Sequence, residues 1–410
     1  MDYRTRHIEN KIHGFLKTFK IVLVVGARQV GKSSLLKHLF PLWKNITLDP
    51  INDLYNIKDD PDLFLDNFPS PLIIDEIQYA PELLPALKRR VDSNDGKGQY
   101  ILTGSQNILI LKNVSESLAG RVGIIQLDSM TLQEINGAGD CKEFVLEDFL
   151  NGNADINKKI ECSLTSRNIV ATLWRGSLPG LLDIENDFVK PYLDSYIKTY
   201  IERDVRLIEN ISELSDFSKF TKLLCALTAQ EINYSQLGRE IGLSPNTAKR
   251  WLQILLHSYQ WIELPPYYGN AIKRISQKPK GHIADTGIIC NQLLITSPEA
   301  LASNPNFGSI FETWVVCELV KKSKLLSTPP SFYHWRTNGG AEVDIVFERD
   351  SLLFPIEVKL KSTLSGNDLR GLKSFLSDYQ DKAKTAMIIY TGKECFKITR
   401  NIWAVPWNAV

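Results

Sequence analysis

The sequence predicts an α/β chain of several domains: a parallel sheet around a phosphate-binding loop, a helical segment, a helix-turn-helix unit and a smaller α/β unit at the C-terminus. Three observations carry this. The apolar run Lys20–Val25 passes through Gly26-x4-Gly31-Lys32-Ser33 into an amphipathic stretch ending at Phe40. Strand-like runs then alternate with helical periodicity as far as Leu127, the pattern of a parallel sheet with crossover helices. Beyond residue 230 the texture changes twice, to two short helices across a glycine turn and then to alternating hairpin strands.

At 410 residues the chain exceeds what one hydrophobic core sustains, so two to four domains are expected. The apolar share of 43% and charged share of 23% are those of a globular protein, and a net charge of +1 leaves any nucleic-acid surface to be local. MDYRTRHIENKIHG has no secretory apolar region, and no stretch approaches the ~20 apolar residues of a membrane span, so a cytoplasmic protein without a membrane partner is expected. Six cysteines stand singly, without CxxC pairs, which argues against disulfides or structural zinc.

The first strand feeds a P-loop. Gly26, Ala27, Arg28, Gln29, Val30 and Gly31 let successive N–H groups face phosphate, Lys32 reaches the β- and γ-phosphates, Ser33 ligates Mg²⁺, and Ser34 continues the helix start. Strands follow at NITLD (45–49), PLIIDEI (71–77), QYILTGS (99–105) and RVGIIQL (121–127), with helices across 53–67 and from Pro81. Asp75 and Glu76 end an apolar strand, where a buried carboxylate needs a partner. Mg²⁺ suits Asp75, and Glu76 is placed to polarise the attacking water. Thr103 and Ser105 end the next strand at the ligand edge, either sensing the γ-phosphate or capping a helix. Arg121 is either an arginine finger toward a neighbouring subunit or a surface arginine.

Residues 129–215 read as helices, with Arg175 and Arg203 as phosphate or intersubunit candidates that an amphipathic helix would show anyway. A short helix over 234–242 ends at Gly242, and Ser244 caps a second helix with Ala248, Leu252 and Leu255 on its apolar side, which is helix-turn-helix spacing. Strand WIEL (261–264) and the basic stretch 269–280 follow. In a major groove Asn246, Thr247, Lys249 and Arg250 would face bases, with Lys273, Arg274 and Lys278 on phosphate; the alternative is a protein-packing unit.

GSIFETWVVCELVKKSK (308–324) reads as a buried helix interrupted by Glu312 and Glu318. Strands 342–347 and 354–359, turning near 349–351, bring Asp344 close to Glu357, with Lys359 on the same face as Glu357. Adjacent carboxylates repel unless a cation lies between them.

The ordered motifs GARQVGKSS, PLIIDEI, YILTGSQN and SLAGRV, followed by RNIVATLWRGSLP, SYIKTYIERDV, HIADTG and GSIFETWVVCEL, resemble the prokaryotic AAA-type ATPases with a C-terminal restriction-endonuclease-like domain, over nearly the whole chain. The resemblance implies a P-loop NTPase sheet (1–150), a helical lid (151–215), a winged helix-turn-helix domain (216–298) and a PD-(D/E)xK nuclease-like domain (299–410). It implies ATP with Mg²⁺ as cofactors, and at the nuclease-like site Mg²⁺ or Mn²⁺ held by Asp344, Glu357 and Glu312, with Lys359 activating water. All four residues are present. The expected function is an ATP-hydrolysing, DNA-directed homo-oligomer with a metal-dependent nuclease domain, in repair or defence. The alternative is a regulatory or scaffold ATPase whose C-terminal domain only binds DNA or a protein, in a toxin–antitoxin or signalling role.

Overall fold

The computed structural model describes residues 3–48, 54–105, 117–141, 144–152, 168–200, 214–269 and 278–410. Strands β1 (Ile21–Val25), β2 (Lys44–Thr47), β3 (Leu72–Asp75), β4 (Tyr100–Gly104) and β5 (Val122–Gln126) form a five-stranded sheet in the order β2-β3-β4-β1-β5. All its pairings are parallel. The inner strand β1, IVLVV, is buried at every position, which is why it reads as a continuous apolar run. The registers Val25↔Gly104 and Val25↔Gln126 put the ends of β4 and β5 level with the start of the P-loop.

The expected strand 71–77 is shorter, because Glu76 turns into the left-handed region (φ +60°) and a tight 3-10 turn, Ile77–Tyr79, follows. The expected helix over 53–67 is two, Leu54–Asp59 and Pro61–Asn67, divided where Asp60 caps the second.

The middle of the chain packs helices Ile169–Arg175, Asn186–Tyr200 and Leu214–Ala226 beside the pair Tyr234–Ile241 and Pro245–His257. Gly242 (φ +73°) makes the turn of that pair, and the Ser244 side chain accepts the Thr247 N–H at 3.1 Å. Strands β6 (Gln230–Glu231), β7 (Trp261–Leu264) and β8 (Lys280–Ile283) form an antiparallel sheet ordered β6-β8-β7. Arg203, Lys273 and Arg274 lie outside the described residues.

The C-terminal unit is a mixed sheet of β9 (Ser331–Arg336), β10 (Glu342–Arg349), β11 (Leu352–Lys359), β12 (Ala386–Tyr390), β13 (Phe396–Lys397) and β14 (Ile402–Pro406), ordered β13-β14-β12-β11-β10-β9. Asp350 and Ser351, both at positive φ, form the β10–β11 turn where the sequence placed it. Helix Phe307–Ser323 packs with Ile345, Ile356 and Met387, while Val346, Ile388 and Leu353 belong to a second cluster with Leu372 and Phe375 of helix Arg370–Asp378. Side chains alternate between two apolar layers, so the sheet is covered on both faces. The apolar cluster on the Phe307–Ser323 side continues through Leu252 and Trp174 to Val22 and Val24 of β1, so the units share one core. No helix among the described residues is long and apolar enough to cross a membrane.

Candidate functional sites

Gly26 (φ +153°) and Gly31 (φ +95°) carry the P-loop through conformations that side chains disfavour, and a Cβ on Gly26 would meet the Leu127 carbonyl oxygen at 2.1 Å. Helix Lys32–Leu39 begins directly after the loop. The buried Lys32 amine donates to the carbonyls of Gly26 at 2.9 Å and Ala27 at 2.8 Å. The Ser33 hydroxyl donates to Asp75 Oδ2 at 2.6 Å, and the Thr103 hydroxyl donates to Asp75 Oδ1. Thr103 Oγ1 in turn accepts the Glu76 N–H at 3.1 Å, and Ser105 Oγ and the Gln78 amide both reach Glu76 Oε2. Thr103 and Ser105 thus bond the two acids, a contact that neither of the two roles expected of them named. A hydroxyl and a buried carboxylate already paired at the sheet edge make a donor set that fits Mg²⁺ beside phosphate.

Arg6, ahead of the first helix, is buried and donates to the Val30 carbonyl at 2.8 Å and the Asp128 carbonyl at 2.7 Å, with Glu134 at 3.1 Å. Beside Gly31 and Ser34 lies a cavity of about 250 Å³ walled by Tyr3, His38 and Pro179; the Tyr3 and His38 rings stack at 3.7 Å. The Tyr192 hydroxyl donates to Gln29 at 2.7 Å, so helix Asn186–Tyr200 touches the P-loop. Arg175 does not point at phosphate: it donates to the Leu181 and Ile184 carbonyls and to Asn186, pinning the turn ahead of that helix. Arg121 pairs with Asp92 at the opposite edge of the sheet, where β5 begins.

At the C-terminal hairpin the pairing Ile345↔Ile356 brings Asp344 opposite Glu357, as the spacing requires. Asp344 Oδ2 accepts the Val358 N–H at 2.9 Å, and the Lys359 amine donates to Glu357. The site nonetheless contains a residue absent from the expected set. The Lys280 amine, 4% exposed, lies 2.6 Å from Glu312 Oε1, 3.0 Å from Glu342 Oε1 and 3.0 Å from Asp344 Oδ1. Burial alone would lower this amine, but Asp344, Glu312 and Glu342 outweigh it and raise it well above the usual lysine range. Burial and the Asp344 carboxylate push Glu312 up to about 8 and Glu357 well above the carboxylate range. Among the described residues no group of three or more His, Cys, Asp or Glu side chains is arranged to hold a metal ion, so the nuclease metal expected on Glu312, Asp344 and Glu357 does not fit the site as folded. The spacing located the carboxylates; it could not show that an amine 64 residues upstream of Asp344 enters among them.

On helix Pro245–His257, Asn246, Lys249 and Arg250 are exposed and Thr247 is half-buried, while Ala248, Trp251 and Leu252 are buried.

Residues 18–136 match a family model described as an AAA domain. This part of the chain is an AAA-type P-loop ATPase domain. Two domains of unknown function match residues 166–299 (DUF8612) and 307–410 (DUF4143), the first running across the expected boundary between lid and helix-turn-helix unit. Uncharacterized proteins of Mycobacterium tuberculosis and Mycobacterium bovis are each 29% identical over 393 residues, 95% of this chain and 80% of theirs. Among solved structures, a Walker-type ATPase of Pyrococcus abyssi is 15% identical with a TM-score of 0.38, covering 71% of this chain and 99% of its own. Thermotoga maritima RuvB is 16% identical with a TM-score of 0.31, covering 63% and 89%.

The AAA domain is wired to the C-terminal unit through helix Phe307–Ser323. Glu318 Oε2 accepts the Leu132 N–H at 2.9 Å, and the Lys321 amine donates to the Met130 carbonyl at 3.0 Å and Ser177 Oγ at 3.1 Å. Lys324 pairs with Asp128 at 2.8 Å. Sequence reading singled out Glu318 only as an interruption in an apolar helix, and passed over Arg6 altogether. The one signal for these groups is a charge in an otherwise buried run, which does not name its partner.

Proposed function

We propose that the chain binds and hydrolyses ATP and passes its nucleotide state to the units behind the AAA domain, acting as a nucleotide-driven switch. The observation that carries this is the chain of bonds Ser33–Asp75–Thr103–Glu76 beside a lysine satisfied by the loop's own carbonyls. When bound between Ser33 and Asp75, Mg²⁺ supplies charge neutralisation at the phosphates. Lys32 exchanges two neutral carbonyls for phosphate oxygens, Glu76 orients and accepts a proton from water, and Thr103 keeps Asp75 and Glu76 at fixed separation. The Tyr3, His38 and Pro179 cavity is large enough for a base and ribose. Arg6 bonds the P-loop and the Asp128 carbonyl, and the Asp128 carboxylate bonds Lys324, so a shift of the loop on nucleotide binding reaches the C-terminal unit through three residues.

The test is nucleotide binding and steady-state hydrolysis by wild type, Lys32→Ala and Glu76→Gln. Binding without hydrolysis in Glu76→Gln, and neither in Lys32→Ala, is expected; equal turnover by wild type and Glu76→Gln removes Glu76 from the site. If Arg121 acts across a homo-oligomer interface, mixing Arg121→Ala with Glu76→Gln subunits restores part of the activity, and a monomer under ATP ends that reading.

A second reading, DNA as the partner that the switch responds to, is favoured by the exposed Asn246, Lys249 and Arg250 beside a capped helix start. DNA-stimulated hydrolysis that Lys249→Glu with Arg250→Glu removes would support it. Stimulation by a protein partner alone would return this helix to packing.

A further inference from the structure

We propose that Lys280 is a built-in cation standing where a divalent metal would stand among Glu312, Glu342 and Asp344, and that it latches the β6-β8-β7 sheet to a C-terminal unit that takes up no metal there. Two segments, helix Phe307–Ser323 and strand β10, supply the carboxylates, and a single ammonium from β8 meets all three at 2.6–3.0 Å. The ammonium donates hydrogen bonds to Glu342 and Asp344 and pairs by charge with Glu312, so three carboxylates share one cation.

The backbone holds the amine there. Lys280 is paired on both sides, with Glu231 of β6 and Leu264 of β7. The next residue, Gly281, packs so closely on Trp261 that a Cβ would lie 1.9 Å from its ring, which fixes the strand against that side chain. Beyond it, buried His282 meets Thr313 at 3.1 Å, and Thr313 meets Thr228 at 2.8 Å, so β8 is stitched to helix Phe307–Ser323 as well. A further backbone link runs between the units, where Tyr267 N–H donates to the His334 carbonyl and His334 N–H to that of Pro265.

The geometry excludes a metal on the same oxygens. A hard divalent cation takes six or more oxygens at about 2.0–2.6 Å, of which water can supply several. It must share its position with no other cation, however, and needs one or two carboxylates free to face it. The Asp344 oxygens are engaged by Lys280 and the Val358 N–H, and those of Glu342 and Glu312 nearest the centre by Lys280. Glu357 Oε2 is buried without a hydrogen-bond partner, but it is one oxygen, and the Lys359 amine holds its neighbour. The sequence placed Lys280 at the end of a basic stretch aimed at phosphate; buried among carboxylates, it is shielded from any nucleic acid.

The test is Mn²⁺ titration of the full chain without nucleotide, followed by calorimetry, with thermal melts run with and without Mn²⁺. Wild type and Asp344→Asn should take up the same amount of Mn²⁺, since any uptake at the P-loop is common to both. Lys280→Met should gain one equivalent, lost again in Lys280→Met with Asp344→Asn. Lys280→Arg, which keeps the charge, should gain none. If Lys280→Met is too unstable to titrate, its melt should rise with Mn²⁺ while that of wild type shifts no more than that of Asp344→Asn. Mn²⁺ uptake by wild type that Asp344→Asn abolishes would overturn the proposal, because the amine would then yield to a metal. A Lys280→Met protein that neither binds Mn²⁺ nor is stabilised by it would also overturn it, because the carboxylates would then not be a metal site that the amine replaces.

Discussion

Lys32 and Lys280 are both almost fully buried, 6% and 4% exposed, one at the start of the helix that follows the P-loop and the other at the start of β8. Their bonds differ in kind. Lys32 donates to the neutral carbonyls of Gly26 and Ala27, whereas Lys280 lies among three carboxylates. Desolvating an ammonium costs several kcal/mol, and a neutral carbonyl offsets less of that than an anion does. Lys32 is therefore poised to exchange its partners for a more negative ligand, while Lys280 already has its full complement of negative charge. A buried lysine next to acids can be a ligand receptor or itself the ligand, and the charge of its bonded partners separates the two.

The largest expected effect tests the receptor side. Lys32→Ala should abolish nucleotide binding, and Glu76→Gln should lower kcat by about 100-fold or more with binding kept, the scale of a lost general base. A nucleotide-binding assay beside single-turnover hydrolysis reads both.

Stability should sort the two lysines in the opposite order. Lys280→Met leaves buried carboxylates without their cation and should cost about 3–5 kcal/mol by denaturant unfolding, with part recovered when Asp344→Asn is added. Lys32→Ala removes hydrogen bonds to neutral acceptors and should cost about 1–2 kcal/mol. A larger loss for Lys32→Ala than for Lys280→Met would break the comparison.

Charge at an exposed surface should matter less again. Lys249→Glu with Arg250→Glu should leave the unfolding midpoint within about 0.5 kcal/mol while weakening any DNA binding and flattening its salt dependence, since fewer counterions are released.

Asp368 gives a baseline for a single carboxylate outside the Lys280 cluster. Burial would raise it, but Lys361 and Ser365 outweigh that and hold it at about 2. Its folded value is depressed, so its contribution is present above the ordinary carboxylate range, near pH 4, and is lost as pH falls through about 2. Because Lys361 is exposed, Asp368→Asn should cost only on the order of 1 kcal/mol at pH 7, with the difference from wild type vanishing in acid melts.

The receptor site was largely legible in the sequence because its parts are local. A five-residue apolar strand, two glycines at fixed spacing and an Asp-Glu strand end each declare themselves within a few residues, and parallel pairing brings such ends to one edge. The hairpin was legible for the same reason: period-two alternation and a short turn place Asp344 opposite Glu357 by counting. The Ser244 cap and the Gly242 turn were likewise read from neighbouring residues. What only the tertiary structure decided is which distant group fills each charged gap: Lys280 among the C-terminal carboxylates, Arg6 on the P-loop carbonyl, Glu318 on the Leu132 N–H and Thr103 on Asp75. The physical reason is that backbone periodicity is written residue by residue, whereas neutralising a buried charge requires only that some opposite charge arrive within about 3 Å, and the chain can bring it from anywhere.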